Sequence, residues 1–393
     1  MDSNAEPLNT QNKNQIWECS PNTSKYVDRV AFSPDGKLLA SYHGGSNEII
    51  KLWDVATGQQ IYTANFVDLL EVVGGSDNFD FIFCKSLFFS QNEKALNYTW
   101  ACNGFIWNFA LGKEVNIKAL KSPFKRYKWE NFALSPDLKI AVSTNSKTGI
   151  IKLWETSTGK EIHTFSVGEK PRDIYINQFS SDGKVFASLI WLDNFINDET
   201  IKLWDVETGT ELCSISVKGI TAENKYGAVL AFSSDNRILA SNCGDSFDRT
   251  GNGRIIKEKT YLSRSTILLT DVVIGKQLCK FEGVNNYSKD CWGFYVFLGN
   301  KVVSLAFSPD NQLLASGDST GTITLWRLKK GWFKPLTVKK ILSFTVCQQP
   351  IRTLAFSPDG KTLATGHGDE KEGITLWDVK SGKKLQAFAG HKI

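Results

Sequence analysis

The sequence predicts an all-β chain folded as a seven-bladed β-propeller of four-stranded antiparallel blades, and two observations predict it. The phrase VAFSPDGKLLAS at Val30–Ser41 is followed by IKLWDVATG at Ile50–Gly58, and seven variants of this pair run through the 393 residues. The copies also keep a nearly constant period, and a repeat of about 40 to 50 residues with this wording marks a ring of stacked sheets.

The first half returns as LFFSQNEKALNY at Leu87, FALSPDLKIAVS at Phe132, NQFSSDGKVFAS at Asn177, LAFSSDNRILAS at Leu230, LAFSPDNQLLAS at Leu305 and LAFSPDGKTLAT at Leu354. The second half keeps step, as FIWNFALG, IKLWETSTG, IKLWDVETG, ILLTDVVIG, ITLWRL and ITLWDVKSG. With Thr270 standing where the tryptophan is missing, the markers are Trp53, Trp107, Trp154, Trp204, Thr270, Trp326 and Trp377, separated by 54, 47, 50, 66, 56 and 51 residues.

Each copy reads as strands and turns. Short runs of β-branched and large apolar residues, as in LLAS and IIKLWDV, are bounded by Gly, Pro, Asp and Asn, which gives strand, turn, strand. In Ser33-Pro34-Asp35-Gly36, proline presets φ and glycine accepts a positive φ where the hairpin resumes. Asn236 and Asn311 fill the glycine position with the next most permissive residue, whereas Leu138 and Glu93 do not. Those two turns are expected to differ in geometry. A blade then has one strand before this turn, one after it, the tryptophan strand, and an outer strand such as EIHTF at Glu161. Such a sheet cannot bury both faces alone, so neighbours must stack and the ring must close.

With these residues on the page, the chain resembles the WD40 repeat family from about Val30 to its end. The strict Trp-Asp pair stands at Trp53-Asp54, Trp204-Asp205 and Trp377-Asp378, while Glu155, Asn108 and Arg327 replace the acid elsewhere. The resemblance implies a non-catalytic protein that assembles complexes. It also implies a hydrogen-bond network joining the blade tryptophan, a Ser or Thr, an Asp and the histidine of a Gly-His pair. Here His391 alone is taken as that partner, so the network is expected to be partial.

Seven blades leave no room for a second folded unit, and 25 Phe with 12 Trp supply bulky filler between sheets. Length alone would suggest two or three domains, and the repeat overrules it. Residues 1–15 read as a polar tail and 16–393 as one propeller. Two segments compete for the outer strand of the last blade, Ile16–Cys19 and Leu385–Phe388, and the second is preferred. Net charge is +5, from 46 basic and 41 acidic residues, too near balance for nucleic acid to be the expected main partner. Eight scattered cysteines without C-x-x-C spacing read as buried, reduced thiols of a cytoplasmic protein. No apolar run reads as a membrane span or leader, so no membrane partner is expected.

Chemistry is sparse. No Gly-rich phosphate loop, nucleophile elbow or H-E-x-x-H occurs, and no catalytic residue, cofactor or metal is expected. Aligned second strands end at His43, Trp100, Asn145, Ile190, Cys243, Asp318 and His367. Those include metal-ligand types, but neighbouring blades hold equivalent atoms too far apart to share an ion.

The insertions carry the functional signal. Residues 64–84, 116–129, 189–200, 242–265 and 282–301 are second turns or inter-blade links, so all emerge on one face of the disc. The first is acidic, with Asp68, Glu71, Asp77 and Asp80, and the second is basic and aromatic, with Arg126, Tyr127 and Trp129. On the other three, Trp191, Phe195, Arg249, Arg254, Tyr287, Trp292, Phe294 and Tyr295 are the candidate binding residues, of types enriched at binding hot spots. The opposite face keeps short turns except for the basic KKGWFKPLTVKK at Lys329. The expected function is a scaffold that binds other proteins or peptides through the loop-rich face, as a monomeric propeller within a larger complex. An enzyme or small-ligand sensor at the channel mouth is the first alternative, with only Asp28, Arg29 and Arg352 offered there. Nucleic-acid binding through the basic loops is the second.

Overall fold

Seven four-stranded antiparallel sheets, each a simple meander, follow one another along the chain. The structure, a computed structural model, describes residues 26–44, 49–65, 84–89, 95–100, 103–108, 113–116, 131–145, 147–168, 171–192, 198–218, 229–243, 266–282, 287–289, 295–297, 301–329, 335–368 and 373–388. Blades one to seven span 26–65, 84–116, 131–166, 171–218, 230–282, 302–345 and 353–388. First strands of neighbouring blades approach one another, so they form the inner ring. The last blade meets the first, with Val27 N–H donating to His367 C=O at 3.2 Å.

The outer strand of blade seven is Lys384–Phe388, with Phe388 opposite Ile374. Blade one likewise has all four of its own strands, Tyr26–Phe32, Leu38–Gly44, Ile49–Asp54 and Gln60–Asn65. The ring therefore closes without a shared strand, while Ile16–Cys19 lies outside the described residues. Closure depends on packing and side-chain bonds. Val27, Leu39 and Trp53 bury against Ile374, Leu376 and Phe388, and the Trp53 and Phe388 rings meet edge-on at 5.5 Å.

That contact recurs at three further seams. The third-strand tryptophan of a blade packs on the outer-strand phenylalanine of the preceding blade, as Trp204 does on Phe165 (4.8 Å), Trp326 on Phe281 (4.8 Å) and Trp377 on Phe344 (5.1 Å). Blade five has Thr270 instead of tryptophan, and the register places Ile215 of blade four where blades three, five, six and seven have phenylalanine. The interface between blades four and five is accordingly aliphatic: Ile201, Leu203, Ile215 and Val217 meet Leu230, Leu239, Leu268 and Val272. Loss of one aromatic is matched by loss of its partner, which avoids the cavity a lone deletion would leave.

The turns after the first strands share one bonding scheme. Ser33 Oγ donates to Asp35 Oδ1 at 2.6 Å and accepts from Leu38 N–H at 2.9 Å, while Lys37 N–H donates to the same carboxylate oxygen at 2.9 Å. The scheme recurs from Ser135, Ser180, Ser233, Ser308 and Ser357. It holds the glycine position in the left-handed region, with φ 71° at Gly36 and 58° at both Asn236 and Asn311. Leu138 corrects the sequence expectation. Its φ is 63°, and its turn carries the same bonds, Ile140 N–H to Ser135 Oγ at 3.0 Å among them. The Ser-Asp network dictates the backbone, and leucine is carried into a conformation that costs an L-residue about 1–2 kcal/mol. Glu93 lies outside the described residues.

Adjacent turns are also matched across blades. Where the glycine position is glycine, it lies under a proline or small side chain of the preceding blade: Pro358 Cδ is 3.4 Å from a Cβ built on Gly36, and Pro309 Cδ 3.6 Å from one on Gly360. Where that position is asparagine, the preceding turn has serine instead of proline, and its N–H is used. Ser181 N–H donates to Asn236 Oδ1 at 2.9 Å, and Ser234 N–H to Asn311 Oδ1 at 2.7 Å. Proline has no N–H to offer, so Pro-with-Gly and Ser-with-Asn are alternative solutions to one contact.

Two outcomes follow for urea unfolding. Leu138→Gly should stabilise the protein by about 1 kcal/mol; a loss would mean that the leucine side chain contributes more than its backbone strain costs. Ser181→Pro should cost about 1–2 kcal/mol through lost bonds to Asn236, and adding Asn236→Gly should recover most of it. Simple additivity of the two substitutions would show that the turns are uncoupled.

Candidate interaction face

In a meander the second turns and the links between blades share one edge of the ring, and the first and third turns share the other. Strand ends locate four of the sequence insertions on the first edge, after Asn65, Asn116, Cys243 and Glu282. The fifth, 189–200, is largely strand. Val185–Leu192 and Asp198–Asp205 stay paired up to Trp191 opposite Glu199, whereas pairing in blade one ends at His43 opposite Ile49, so blade four stands about one residue, roughly 3 Å, taller than blade one on this edge.

Of the candidate residues, Trp191 lies on this raised hairpin, flanked in register by Asp173 and Glu199. Tyr287 and Tyr295 belong to a two-stranded sheet, Tyr287–Lys289 with Tyr295–Phe297, that the sequence reading had as loop. Its register pairs Tyr287 with Phe297 and Lys289 with Tyr295. The link between blades five and six is thus a hairpin of its own. Phe195, Arg249, Arg254, Trp292 and Phe294 lie outside the described residues.

The channel mouth has a different occupant from the one a substrate site would need. Asp28 and Arg352, 324 positions apart in the chain, form an ion pair across the seam of the ring, with Arg352 Nη1 donating to Asp28 Oδ1 at 2.9 Å. The guanidinium also lies 3.9 Å from the centre of the Tyr26 ring, a cation–π arrangement. Beside it Val30 N–H donates to Thr353 Oγ1 at 3.3 Å. Burial pushes the Asp28 carboxyl above its usual range, opposed by the charges of Arg352 and Arg29. Its Oδ2 has no hydrogen-bond partner and faces Gly44, where a Cβ would stand only 2.2 Å away.

The second-strand column has structural work. His43 Nε2 lies 2.9 Å from Ser41 Oγ, which accepts the Trp53 indole N–H at 2.8 Å. The histidine partner of this network therefore comes from the second strand itself, a relation present in the sequence as Ser41-Tyr42-His43 because alternate strand residues share a face. Trp154, Trp326 and Trp377 donate in the same way to Ser143, Ser316 and Thr365, and His391 lies outside the described residues. Asp318 accepts from Thr320 and Thr322 N–H, both at 2.9 Å, and Asn145 from Thr148 N–H at 3.2 Å, so both cap their turns. Among the described residues no three His, Cys, Asp or Glu stand close enough to hold a metal ion, and no helix is long and apolar enough to cross a membrane.

Among the described side chains Cys213, Cys279 and Cys347 form no disulfide and are half-buried where the sequence reading had them buried. Burial, aided by Glu211 and Asp271, pushes the Cys213 thiol up to about 11, which leaves little thiolate for chemistry near neutrality.

The fold defines a seven-bladed β-propeller. The family description WD domain, G-beta repeat matches residues 13–54, and Anaphase-promoting complex subunit 4 WD40 domain matches residues 305–392. These two matches and the WD-repeat relatives support a WD40 repeat family protein. It is 28% identical over 261 residues to Periodic tryptophan protein 2 of Arabidopsis thaliana, covering 63% of this chain and 26% of that one. It is 23% identical over 400 residues to human Apoptotic protease-activating factor 1, covering 98% and 28%, and 27% identical over 218 residues to mouse WD repeat and SOCS box-containing protein 1, covering 54% and 46%. The chain thus spans between a quarter and a half of the length of these relatives.

The seam pair gives a pH-dependent outcome. Arg352→Ala should destabilise the protein by about 2–3 kcal/mol at pH 7, because a mostly buried carboxylate loses its partner. A carboxyl whose folded pKa lies above its unfolded value contributes stability at low pH that is lost as pH rises through the folded pKa. Without Arg352 that pKa rises further, so the deficit against wild type should shrink as pH falls from 7 towards about 4. Urea titrations across this range check it, and a pH-independent deficit would contradict the assignment.

Proposed function

We propose that this chain is a non-catalytic scaffold that binds a protein or peptide through the edge bearing its second turns and inter-blade links. The observation that carries the reading is the gathering of five insertions on that edge, over a ring whose turns on the other edge are short in all but one blade. A rigid repeat body presents such segments at fixed positions. Three features support it further: the raised hairpin with Trp191, the separate hairpin with Tyr287 and Tyr295, and the similarity to WD-repeat proteins. At the channel mouth Asp28 and Arg352 pair with each other, which favours a structural role for them over an enzymatic or ligand-sensing one. The protein is expected to act in the cytoplasm as a monomeric propeller within a larger complex.

Affinity capture with the intact chain, followed by mass spectrometry, identifies partners. Replacing Trp292 and Tyr295 by Ala should then weaken a recovered partner by about 1–4 kcal/mol, with the melting temperature little changed. Replacing Lys329, Lys330 and Lys334 should leave that partner in place. Retention by the first variant and loss by the second would move the site to the opposite face. A steep fall in nucleic-acid affinity with salt, from binding by the basic loops, would replace the protein-partner reading.

A further inference from the structure

Blade five breaks the repeat on the opposite edge. Its third turn is Val272-Val273-Ile274-Gly275, and Val273 and Ile274 are 69% and 66% exposed. In the other blades with this turn, the residue before the glycine is Thr57, Thr158, Thr208 or Ser381, and its hydroxyl donates to Asp54, Glu155, Asp205 or Asp378. Ile274 gives up that bond, and among the described residues the Asp271 carboxylate accepts only from the N–H groups of Val273 and Ile274, at 3.0 and 3.1 Å. Neither side chain is needed for packing, because Val272 alone turns inward and is 2% exposed. Other exposed aliphatics differ in kind. Ile61, Ile162, Ile341 and Leu385 stand at the bulge opposite the tryptophan in their own outer strands, and so belong to the repeat.

The next blade breaks the repeat on the same edge. Arg327 replaces the acid that caps this turn, and the strands run on as a longer hairpin, Thr322–Lys329 with Thr337–Thr345. Arg327 lies directly opposite Lys339 in the register, and both are exposed. Like charges facing across a sheet are destabilising. Lys329 and Lys276 add two exposed cations on this edge, and none of the four forms an ion pair among the described residues. The carboxylates nearby, Asp235, Asp271 and Asp310, are drawn into their own turns.

We propose that this edge of blades five and six is a second docking surface, separate from the loop-rich face, for a protein segment that sets aliphatic side chains beside Asp or Glu. Val273 and Ile274 supply the apolar contact, and Lys276, Arg327, Lys329 and Lys339 the complementary charge. Both features cost the isolated fold stability, and a partner of that chemistry repays both at once.

The test pans a library of short random peptides, displayed on phage, against the full chain and measures recovered peptides in solution. The variant Val273→Ser with Ile274→Thr copies the turn of blade three and restores the hydroxyl to Asp271, so its thermal midpoint should match or exceed that of wild type. Recovered peptides should combine aliphatic and acidic residues. Their affinity should fall at least about tenfold both in this variant and in Lys329→Glu with Lys339→Glu. Peptides without acids, unchanged affinity in the turn variant, or recovery of no peptide that the turn variant loses would each overturn the proposal. So would binding of phosphatidylserine vesicles or single-stranded RNA, rather than peptide, through these residues.

Discussion

Every blade depends on the sheet beside it, because a four-stranded meander exposes two faces and the chain supplies a cover for each only in its neighbours. The tryptophan of the third strand is where this dependence concentrates. In blades one, three, six and seven its indole N–H donates to a Ser or Thr of its own second strand, as Trp154 does to Ser143 at 2.8 Å. Its body packs on the outer strand of the blade before. In blades one, three and four a lysine lies over it, Lys51, Lys152 and Lys202 at 5.5, 5.4 and 5.6 Å. In Trp53, Trp326 and Trp377 one side chain thereby ties hydrogen bonding within a blade to packing between blades, and such ties recur around the ring. Their recurrence explains why the seam between blades seven and one can close without a shared strand: Phe388 and Trp53 make the same contact there as their counterparts elsewhere.

Much of this was legible in the sequence because it repeats. Strand order, turn positions, the outer strand at Lys384–Phe388 and the edge that carries the insertions all follow from aligning copies. What escaped was information held between copies rather than within them. Leu138 looked incompatible with its turn when judged alone, yet Ser135 and Asp137 fix that backbone regardless. Asn236 and Asn311 looked like mere substitutes for glycine, but each receives an N–H that the preceding turn can offer only because it has Ser181 or Ser234 in place of proline. His43 was read as a member of a column around the ring, whereas its bond runs along its own strand to Ser41. The candidate face is a harder case. Trp191, Tyr287 and Tyr295 gained a strand setting that a loop reading does not give, and the other candidate residues were named from composition on segments that do not repeat.

The two edges of the disc differ in what their departures from the repeat cost. On the loop-rich edge, insertions fall between strands, where added length is entropically cheap and leaves the tryptophan ties intact. On the opposite edge the turns are short and internally bonded, with the carboxyls of Asp54, Asp205 and Asp378 held below their usual range chiefly by hydrogen bonds from Thr57, Thr208 and Ser381. A departure there removes a bond that other blades keep. Blade five forfeits a hydroxyl–carboxylate contact and exposes two branched aliphatics, and blade six exchanges its acid for Arg327 and sets it opposite Lys339. Changes that lower stability and fill no packing need are the ones that call for a partner as their explanation, and here they fall on adjacent blades, on one edge, with apolar surface beside positive charge.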